Sequence, residues 1–409
     1  MTAVPSLAEF SAAAESLSGV ISHTPTELSR ALSDIVGAPV LLKMENLQRT
    51  GSFKIRGATY RLAQLTAEER SRGVVAASAG NHAQGVALAA QSLGIPATIF
   101  MPLGVPVPKL LATRGYGAEV VLEGETVATS LRLAAEFAER TGAVLIPPFN
   151  HRDVIIGQGT LGLEIFQDVP DVDTVIMGIG GGGLIAGVAA AIKQAAAEAG
   201  RTVRVIGVQA ENAAAVPPSL QAGEPVEITT HPTIADGILV ARPGDIPFEI
   251  IQELVDEVVT VTEDDIARAL LVLLEHAKVV VEPAGAVGVA AILAGKVKGT
   301  GKTVPILSGG NIDPMLLQRV VSHGLAASGR YATVRIALPD RPGQLAKVSE
   351  ILAQVGANVM EVLHTRHGHG LQISEMILQL SIETRGPEHT QLALDTLRAA
   401  GFEPEIVAD

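Results

Sequence analysis

Lys54 stands between Phe53 and Ile55, ahead of Arg56, in the stretch Glu45-Asn-Leu-Gln-Arg-Thr-Gly-Ser-Phe-Lys-Ile-Arg-Gly57. Apolar neighbours desolvate an amine, and a second cation nearby disfavours its charged form. Both effects lower the lysine pKa and free the lone pair for attack on a carbonyl. Such an amine can form a Schiff base. The alternative is a lysine that merely opens a surface helix behind a Ser52 cap.

Three further stretches lie where a β-branched run passes into a helical one. In Ser78-Ala79-Gly80-Asn81-His82 the backbone N–H groups of a helix start point at whatever lies beyond the strand, and a carboxylate is a natural guest. The Asn81 amide could bond a phenolic or carbonyl oxygen. Ser78 or Asn81 would serve equally as a plain cap, and His82 as a packed histidine. Gly180, Gly181, Gly182 and Gly183 run in succession before Leu184, so the backbone can wrap an anion with several N–H donors, as a phosphate cradle does. Gly178, Gly180 and Gly183 also match the dinucleotide spacing Gly-x-Gly-x-x-Gly, with Glu211 in the place of the ribose acid. The mid-chain position of the loop and the distance to Glu211 count against that reading. Tight helix-to-sheet packing without a ligand is not expected to require four glycines in a row. No Gly-Lys-Ser/Thr follows, so triphosphate hydrolysis is unsupported. Ser308-Gly-Gly-Asn311 ends the last strand of the core, as a ligand-facing turn or a simple glycine-rich one.

Short β-branched runs alternating with alanine-rich helical ones, from Val74 to about Leu325, position these stretches. Strands are expected at 74–77, 97–101, 119–122, 144–146, 174–177, 203–208, 258–261 and 303–307. Helices are expected at 81–93, 126–141, 184–199, 263–275 and 285–294. This is the pattern of an α/β core with mostly parallel sheets covered by helices. Before it come helical pieces at 7–17 and 27–35 and a short strand at 40–43. After a short hinge at 326–332 the order becomes strand 332–338, helix 344–355, strands 358–365 and 371–382, helix 387–400 and strand 403–407. That βαββαβ order is a separate ferredoxin-like unit. His364, His367 and His369 have metal-like spacing but surround a glycine-containing hairpin without a carboxylate or cysteine set, and read as hairpin residues.

With 409 residues, 47% of them hydrophobic, the chain can bury a large core. A net charge of -13 and scattered basic residues argue against nucleic acid. The N-terminus lacks a basic segment followed by an apolar one, and no apolar run reaches membrane-spanning length, so a cytoplasmic protein is expected. The chain has no cysteine, which excludes disulfides, thiolate metal sites and cysteine nucleophiles.

Taken together, these stretches resemble the fold-type-II pyridoxal-phosphate enzymes, most closely the threonine dehydratase and serine dehydratase/racemase group. The resemblance spans residues 20 to 325 and includes Glu45-Asn-Leu-Gln, Ser52-Phe-Lys54-Ile-Arg56-Gly57, Ser78 to Gln84, Thr113 to Glu119, Thr233-Ile-Ala-Asp236-Gly237 and Glu282-Pro-Ala-Gly285. It implies a two-lobed core in residues 1–328 with pyridoxal 5'-phosphate as cofactor. By the same resemblance Lys54 carries the cofactor as an imine beside Phe53 and then removes the substrate α-proton. Asn81 bonds the cofactor 3-oxygen, Gly180 to Leu184 hold its phosphate, and Ser308 faces the pyridine nitrogen. Ser78, Ala79, Gly80, Asn81 and His82 form the substrate-binding turn. A serine hydroxyl does not keep a pyridinium protonated, so the ring is a weaker electron sink and β-elimination is favoured over a long-lived carbanion. The implied reaction converts L-threonine, and L-serine beside it, to a 2-keto acid and ammonia.

Racemases of the group carry a serine where this chain has Ala79, so the second acid is missing and a dehydratase is favoured. Some relatives bind a divalent cation through an acid pair; Glu211 is followed by Pro217 at the second position, and no metal is expected. Residues 329–409 resemble an ACT domain, with Leu338-Pro-Asp-Arg-Pro-Gly-Gln-Leu345 as its strand-to-helix turn. This implies an amino-acid effector, isoleucine or valine, at Asp340, Gly343, Gln344 and Asn358, and a homodimer or homotetramer. A pure oligomerisation module, a non-catalytic sensor and a nicotinamide enzyme are the competing readings.

Overall fold

The computed structural model of the chain describes residues 4–298, 301–366 and 374–407, in two compact units, Met1–Pro314 and Met315–Asp409. His367, His369 and residues 371–373 of the expected hairpin lie outside the described residues.

In the first unit β1 (Thr26–Leu28) and β2 (Leu41–Lys43) form an antiparallel pair. The next strands are β3 (Val74–Ala77), β4 (Ala97–Met101), β5 (Glu119–Leu122) and β6 (Val144–Leu145), which make a parallel sheet in the order β5-β4-β3-β6. They are followed by β7 (Thr174–Gly178), β8 (Arg204–Ala210), β9 (Glu257–Val261) and β10 (Thr303–Pro305), a second parallel sheet in the order β10-β7-β8-β9. Every residue of β3 and β7 is buried, as in strands covered by helices on both faces. The carboxyl ends of β3, β7 and β10 lead directly into the Ser78, Gly180 and Ser308 turns. In open α/β sheets ligands bind at those ends.

The expected helix at 27–35 is instead β1 followed by the helix Arg30–Val36. Glu27 and Leu28 pair with Leu42 and Leu41, and the Ser29 hydroxyl caps the helix by accepting the Leu32 N–H at 3.4 Å. Two long helices, Arg152–Asp168 and Pro314–Ala327, were not anticipated from the periodicity. The first carries three glycines, Gly157, Gly159 and Gly162, because other helices pack against its backbone. A Cβ on Gly157 would lie 2.6 Å from the Arg56 carbonyl oxygen, and one on Gly187 of the helix Gly183–Glu198 would lie 2.3 Å from that of Ile155.

The second unit contains β11 (Tyr331–Pro339), β12 (Asn358–Thr365), β13 (Glu375–Glu383) and β14 (Pro404–Val407), an antiparallel sheet in the order β12-β13-β11-β14. With the helices Gln344–Gln354 and Pro387–Ala399 the order is βαββαβ, as expected. Alternate residues Val334, Ile336 and Leu338 of β11 and Leu378, Leu380 and Ile382 of β13 pack on Val348, Leu352, Leu394 and Leu397. Within the stretch expected as a short hinge, residues 328–330 close the helix Pro314–Ala327, with Gly329 at φ +66° and the Arg330 N–H bonded to the Leu325 oxygen at 2.9 Å.

A cluster of charges lies beneath the Lys54 stretch. The Arg56 guanidinium, 0% exposed, donates to both oxygens of Glu45 at 2.8 Å and to those of Glu164 at 2.7 and 2.9 Å. Lys43, also fully buried, lies 3.0 Å from Glu164 and from Asp168, and Thr24 donates to Glu45 at 2.6 Å. Burial alone raises the Glu45 carboxyl, but the Arg56 charge and the bonds from Arg56 and Thr24 outweigh it and hold Glu45 below its usual range. The stability gained from this lowering is present above the ordinary carboxylate pKa and is lost as pH falls through the depressed value. Removing one partner strands the others in the interior. Glu45→Ala is expected to lower unfolding free energy by about 3–5 kcal/mol, read as a shift of the urea midpoint. An unshifted midpoint would mean the cluster is well solvated.

Candidate active site

Lys54 is held against the end of β10 by the backbone. The Thr303 N–H bonds to the Pro39 oxygen at 2.9 Å, Leu307 to Lys43 at 2.9 Å, Phe53 to Ser308 at 3.1 Å and Gly310 to Gly51 at 2.8 Å. This run brings Phe53 and Lys54 beside Ser308. Lys54 is the first residue of the helix Lys54–Ala63, whose face bearing Ile55, Arg56, Ala58, Thr59 and Leu62 is buried. The helix is therefore not a surface one. Nor does Ser52 cap it: the Ser52 hydroxyl is buried without a hydrogen-bond partner among the described residues. The helix Asn81–Leu93 packs on the lysine backbone at Gly85, where a Cβ would approach the Lys54 carbonyl carbon to 3.1 Å.

Burial takes the Lys54 amine down to about 8, and the Glu282 carboxylate opposes the fall in part. The amine donates to the Pro148 carbonyl oxygen at 3.2 Å and lies 5.2 Å from the centre of the Phe53 ring. Desolvation acts as the sequence suggested. Arg56 does not act as the crowding cation, because both of its edges are taken by Glu45 and Glu164. His82 is buried and pushed down to about 3, chiefly by desolvation and then by the Lys54 charge. It is a neutral ring whose Nε2–H donates to the Ile146 carbonyl oxygen at 2.9 Å, so it is a packed histidine.

Asn81 lies at the start of its helix and links two residues to which the sequence reading gave no role. Its Nδ2 donates to Glu282 Oε1 at 2.6 Å, and its Oδ1 accepts from Asn311 Nδ2 at 2.8 Å. Asn311 also donates to the Thr50 carbonyl oxygen at 2.7 Å, which ties the Asn81 amide to the Lys54 stretch. Glu282 is 5% exposed and raised to about 7, first by burial and then by Asp236, with Lys109, the Asn81 bond and Lys54 acting the other way. Glu282-Pro-Ala-Gly was visible as a motif. That its carboxyl meets Asn81 depends on a contact across 201 positions, which no local pattern records.

The glycine loop needs small residues for packing alone. A Cβ on Gly181 would fall 2.3 Å from the Phe149 ring, one on Gly183 would fall 3.0 Å from Phe149 Cβ, and Gly182 has φ +96° with Pro247 at 2.9 Å. Consecutive glycines are thus explained without an anion, contrary to the sequence argument. The loop still suits one. The amides of residues 180–185 find no backbone acceptor among the described residues, while 181–185 are buried at the start of the helix Gly183–Glu198. Buried N–H groups left unpaired are costly, and a phosphate held there satisfies several at once. With a partly deprotonated buried lysine nearby, the residues fit pyridoxal phosphate.

Residues 17–309 match the family described as Pyridoxal-phosphate dependent enzyme, and residues 332–401 match the ACT domain. The chain belongs to the pyridoxal-phosphate dependent enzymes, and pyridoxal phosphate is its cofactor. It is 49% identical over 402 residues to an L-threonine ammonia-lyase of Thermotoga maritima, covering 98% of this chain and 99% of that one. Among solved structures it is similar to the processed form of threonine deaminase isoform 2 from Solanum lycopersicum (39% identity, TM-score 0.72, covering 78% of this chain and 93% of that one). It is also similar to maize serine racemase (35% identity, TM-score 0.73, covering 79% and 99%). The similar TM-scores show that backbone shape does not separate lyase from racemase.

In the second unit Gly343, at φ +88°, opens the helix Gln344–Gln354. Asp340 pairs with Arg366 at 3.0 Å, and Asn358 donates to Glu383 at 3.2 Å. Among the described residues no group of three or more histidines, aspartates and glutamates is arranged to hold a metal, and no helix is long and apolar enough to cross a membrane.

The Glu282 carboxylate is what keeps the Lys54 amine from falling below about 8. In cofactor-free protein, Glu282→Gln is expected to move the midpoint of the pH-dependent rate of Lys54 modification by an amine reagent further down. An unchanged midpoint would show that the two groups do not interact, and a raised one that Glu282 disfavours the charged amine.

Proposed function

We propose that this chain is an L-threonine ammonia-lyase that converts L-threonine to 2-ketobutyrate and ammonia, with L-serine as a second substrate. The carrying observation is the likeness to an L-threonine ammonia-lyase along nearly the whole chain, over a site whose lysine is buried and lowered to about 8. Bound pyridoxal phosphate supplies an electron sink for the substrate α-carbon. Lys54 Nζ carries the cofactor at rest and accepts the α-proton in turnover, a role suited to an amine with reduced proton affinity. Gly180, Gly181, Gly182, Gly183 and Leu184 hold the phosphate through their N–H groups. Asn81 would bond the ring oxygen and Ser308 would meet the ring nitrogen, with Phe53 beside the lysine. The turn Ser78 to His82 takes the substrate carboxylate. A neutral Ser308 would leave the bound ring a weaker electron sink, which suits elimination better than racemisation. Ala79 has no proton to give on the far face, which favours lyase over racemase.

We assign residues 1–328 to catalysis and 329–409 to regulation, with isoleucine or valine bound at Asp340, Gly343, Gln344 and Asn358. The protein works as a cytoplasmic homodimer or homotetramer in isoleucine biosynthesis or threonine catabolism. An assay for keto acid release from L-threonine, with and without isoleucine, tests the whole reading. Lys54→Ala is expected to lower kcat by about 10³-fold or more. Deleting residues 330–409 is expected to leave elimination intact and remove the isoleucine response. Unchanged turnover in Lys54→Ala contradicts the catalytic assignment, and a retained effector response contradicts the regulatory one. L-Serine is expected to give pyruvate without D-serine.

A further inference from the structure

A cation faces the Ser78–His82 turn from a separate helix. Lys109 lies on Val107–Gly115 with its side chain 14% exposed, and its Nζ is 3.1 Å from Oδ2 of Asp236. The same Nζ is 3.7 Å from where a Cβ on Gly80 would sit. Asp236 begins the short turn Asp236–Ile238, which lies against the helix Pro283–Leu293, just after Glu282. The pair therefore joins the lobe of β3–β6 to that of β7–β10 beside the site.

Among the described residues around the turn, the charges leave a substrate carboxylate one cationic partner. Glu282 and Asp236 are acids, His82 is neutral, and Arg56 is taken by Glu45 and Glu164. The Lys54 amine is committed to the cofactor. A carboxylate entering the turn would meet two acids and the helix-start amides, with Lys109 as the remaining cation. Like charges brought together this way repel unless a counter-ion lies between them. Asp236 already offers Lys109 the same chemical group that an α-amino acid would bring.

We propose that Lys109 is the counter-ion of the substrate α-carboxylate and that Asp236 holds its place until substrate displaces it. The proposal rests on the amino-acid lyase reading. Two acids that compete for one cation give the two substitutions opposite signs: without Lys109 a carboxylate binds more weakly, and without the Asp236 charge it binds more tightly. A salt bridge that served only to hold the lobes together would shift both variants the same way.

The test uses holoenzyme and butyrate, a carboxylate with the four-carbon skeleton of the product but no leaving group. Its Kd is measured by calorimetry beside the KM for L-threonine. Lys109→Met is expected to raise both by about ten- to a hundredfold, the loss of a charged hydrogen bond. Lys109→Arg should recover most of that, and Asp236→Asn should lower both. In the Lys109→Met background, Asp236→Asn should tighten binding less than it does in the wild type, because only relief of repulsion is then left. Shifts of the same sign in Lys109→Met and Asp236→Asn, or butyrate affinity unmoved in both, would overturn the proposal. Opposite shifts in butyrate affinity, with wild type releasing no keto acid, would uphold carboxylate binding by Lys109 and remove the lyase reading instead.

Discussion

An amine kept out of water holds its proton less firmly, and this constraint on Lys54 organises the first unit. Its Nζ has a carbonyl oxygen and an aromatic ring for company, with the Glu282 carboxylate acting on it electrostatically. The nearest arginine in sequence faces away into its own carboxylates. The dry environment depends on packing at the backbone. The Lys54 helix, the Asn81 helix and the helix Arg152–Asp168 approach one another through Gly85 and Gly157, where side chains would separate them. The buried Arg56 cluster then locks the first turn of the Lys54 helix to Glu45 before it and Glu164 far after it. Fixing three segments through one guanidinium costs desolvation energy, and the complete set of charged hydrogen bonds offsets it.

The same economy of backbone contact places the turns proposed to hold anions. The turns after β3 and β7 each open a helix, so their amides converge on the ends of two parallel sheets, while β10 supplies Ser308 and the run of bonds that carries Phe53 and Lys54. The Asn311–Asn81–Glu282 chain crosses from one of these turns to another and fixes which way the Asn81 amide points. The candidate site is assembled from ends of elements, and the Arg56 cluster and the helix contacts at Gly85 and Gly157 hold those ends together.

Much of this was legible in the chain. Fully apolar runs such as Val74–Ala77 announced buried strands, and the glycine-rich stretches after them announced strand-to-helix turns. The βαββαβ order of the second unit followed from its strand and helix periods. Other features depended on distant partners. The glycines of 152–168 dilute a helical pattern, and their reason lies in a neighbouring helix that periodicity cannot see. Glu27 and Leu28 looked helical because their pairing with Leu42 and Leu41 is not local. Arg56 looked like a cation crowding Lys54 because neither its pairing with Glu45, 11 positions before it, nor that with Glu164, 108 positions after it, is a local pattern. Four successive glycines suit an anion, and packing against Phe149 requires them equally well. The feature that suits an anion better is the set of buried amides without a backbone acceptor among the described residues, and it appears only in the structure.

The central claim is that Lys54 is the residue that carries pyridoxal phosphate. Reduction of the purified holoenzyme with borohydride, digestion and peptide mass mapping test it most directly. The account predicts a pyridoxyl phosphate adduct on the peptide containing Lys54. An adduct on another lysine, with the Lys54 peptide unmodified, would contradict it.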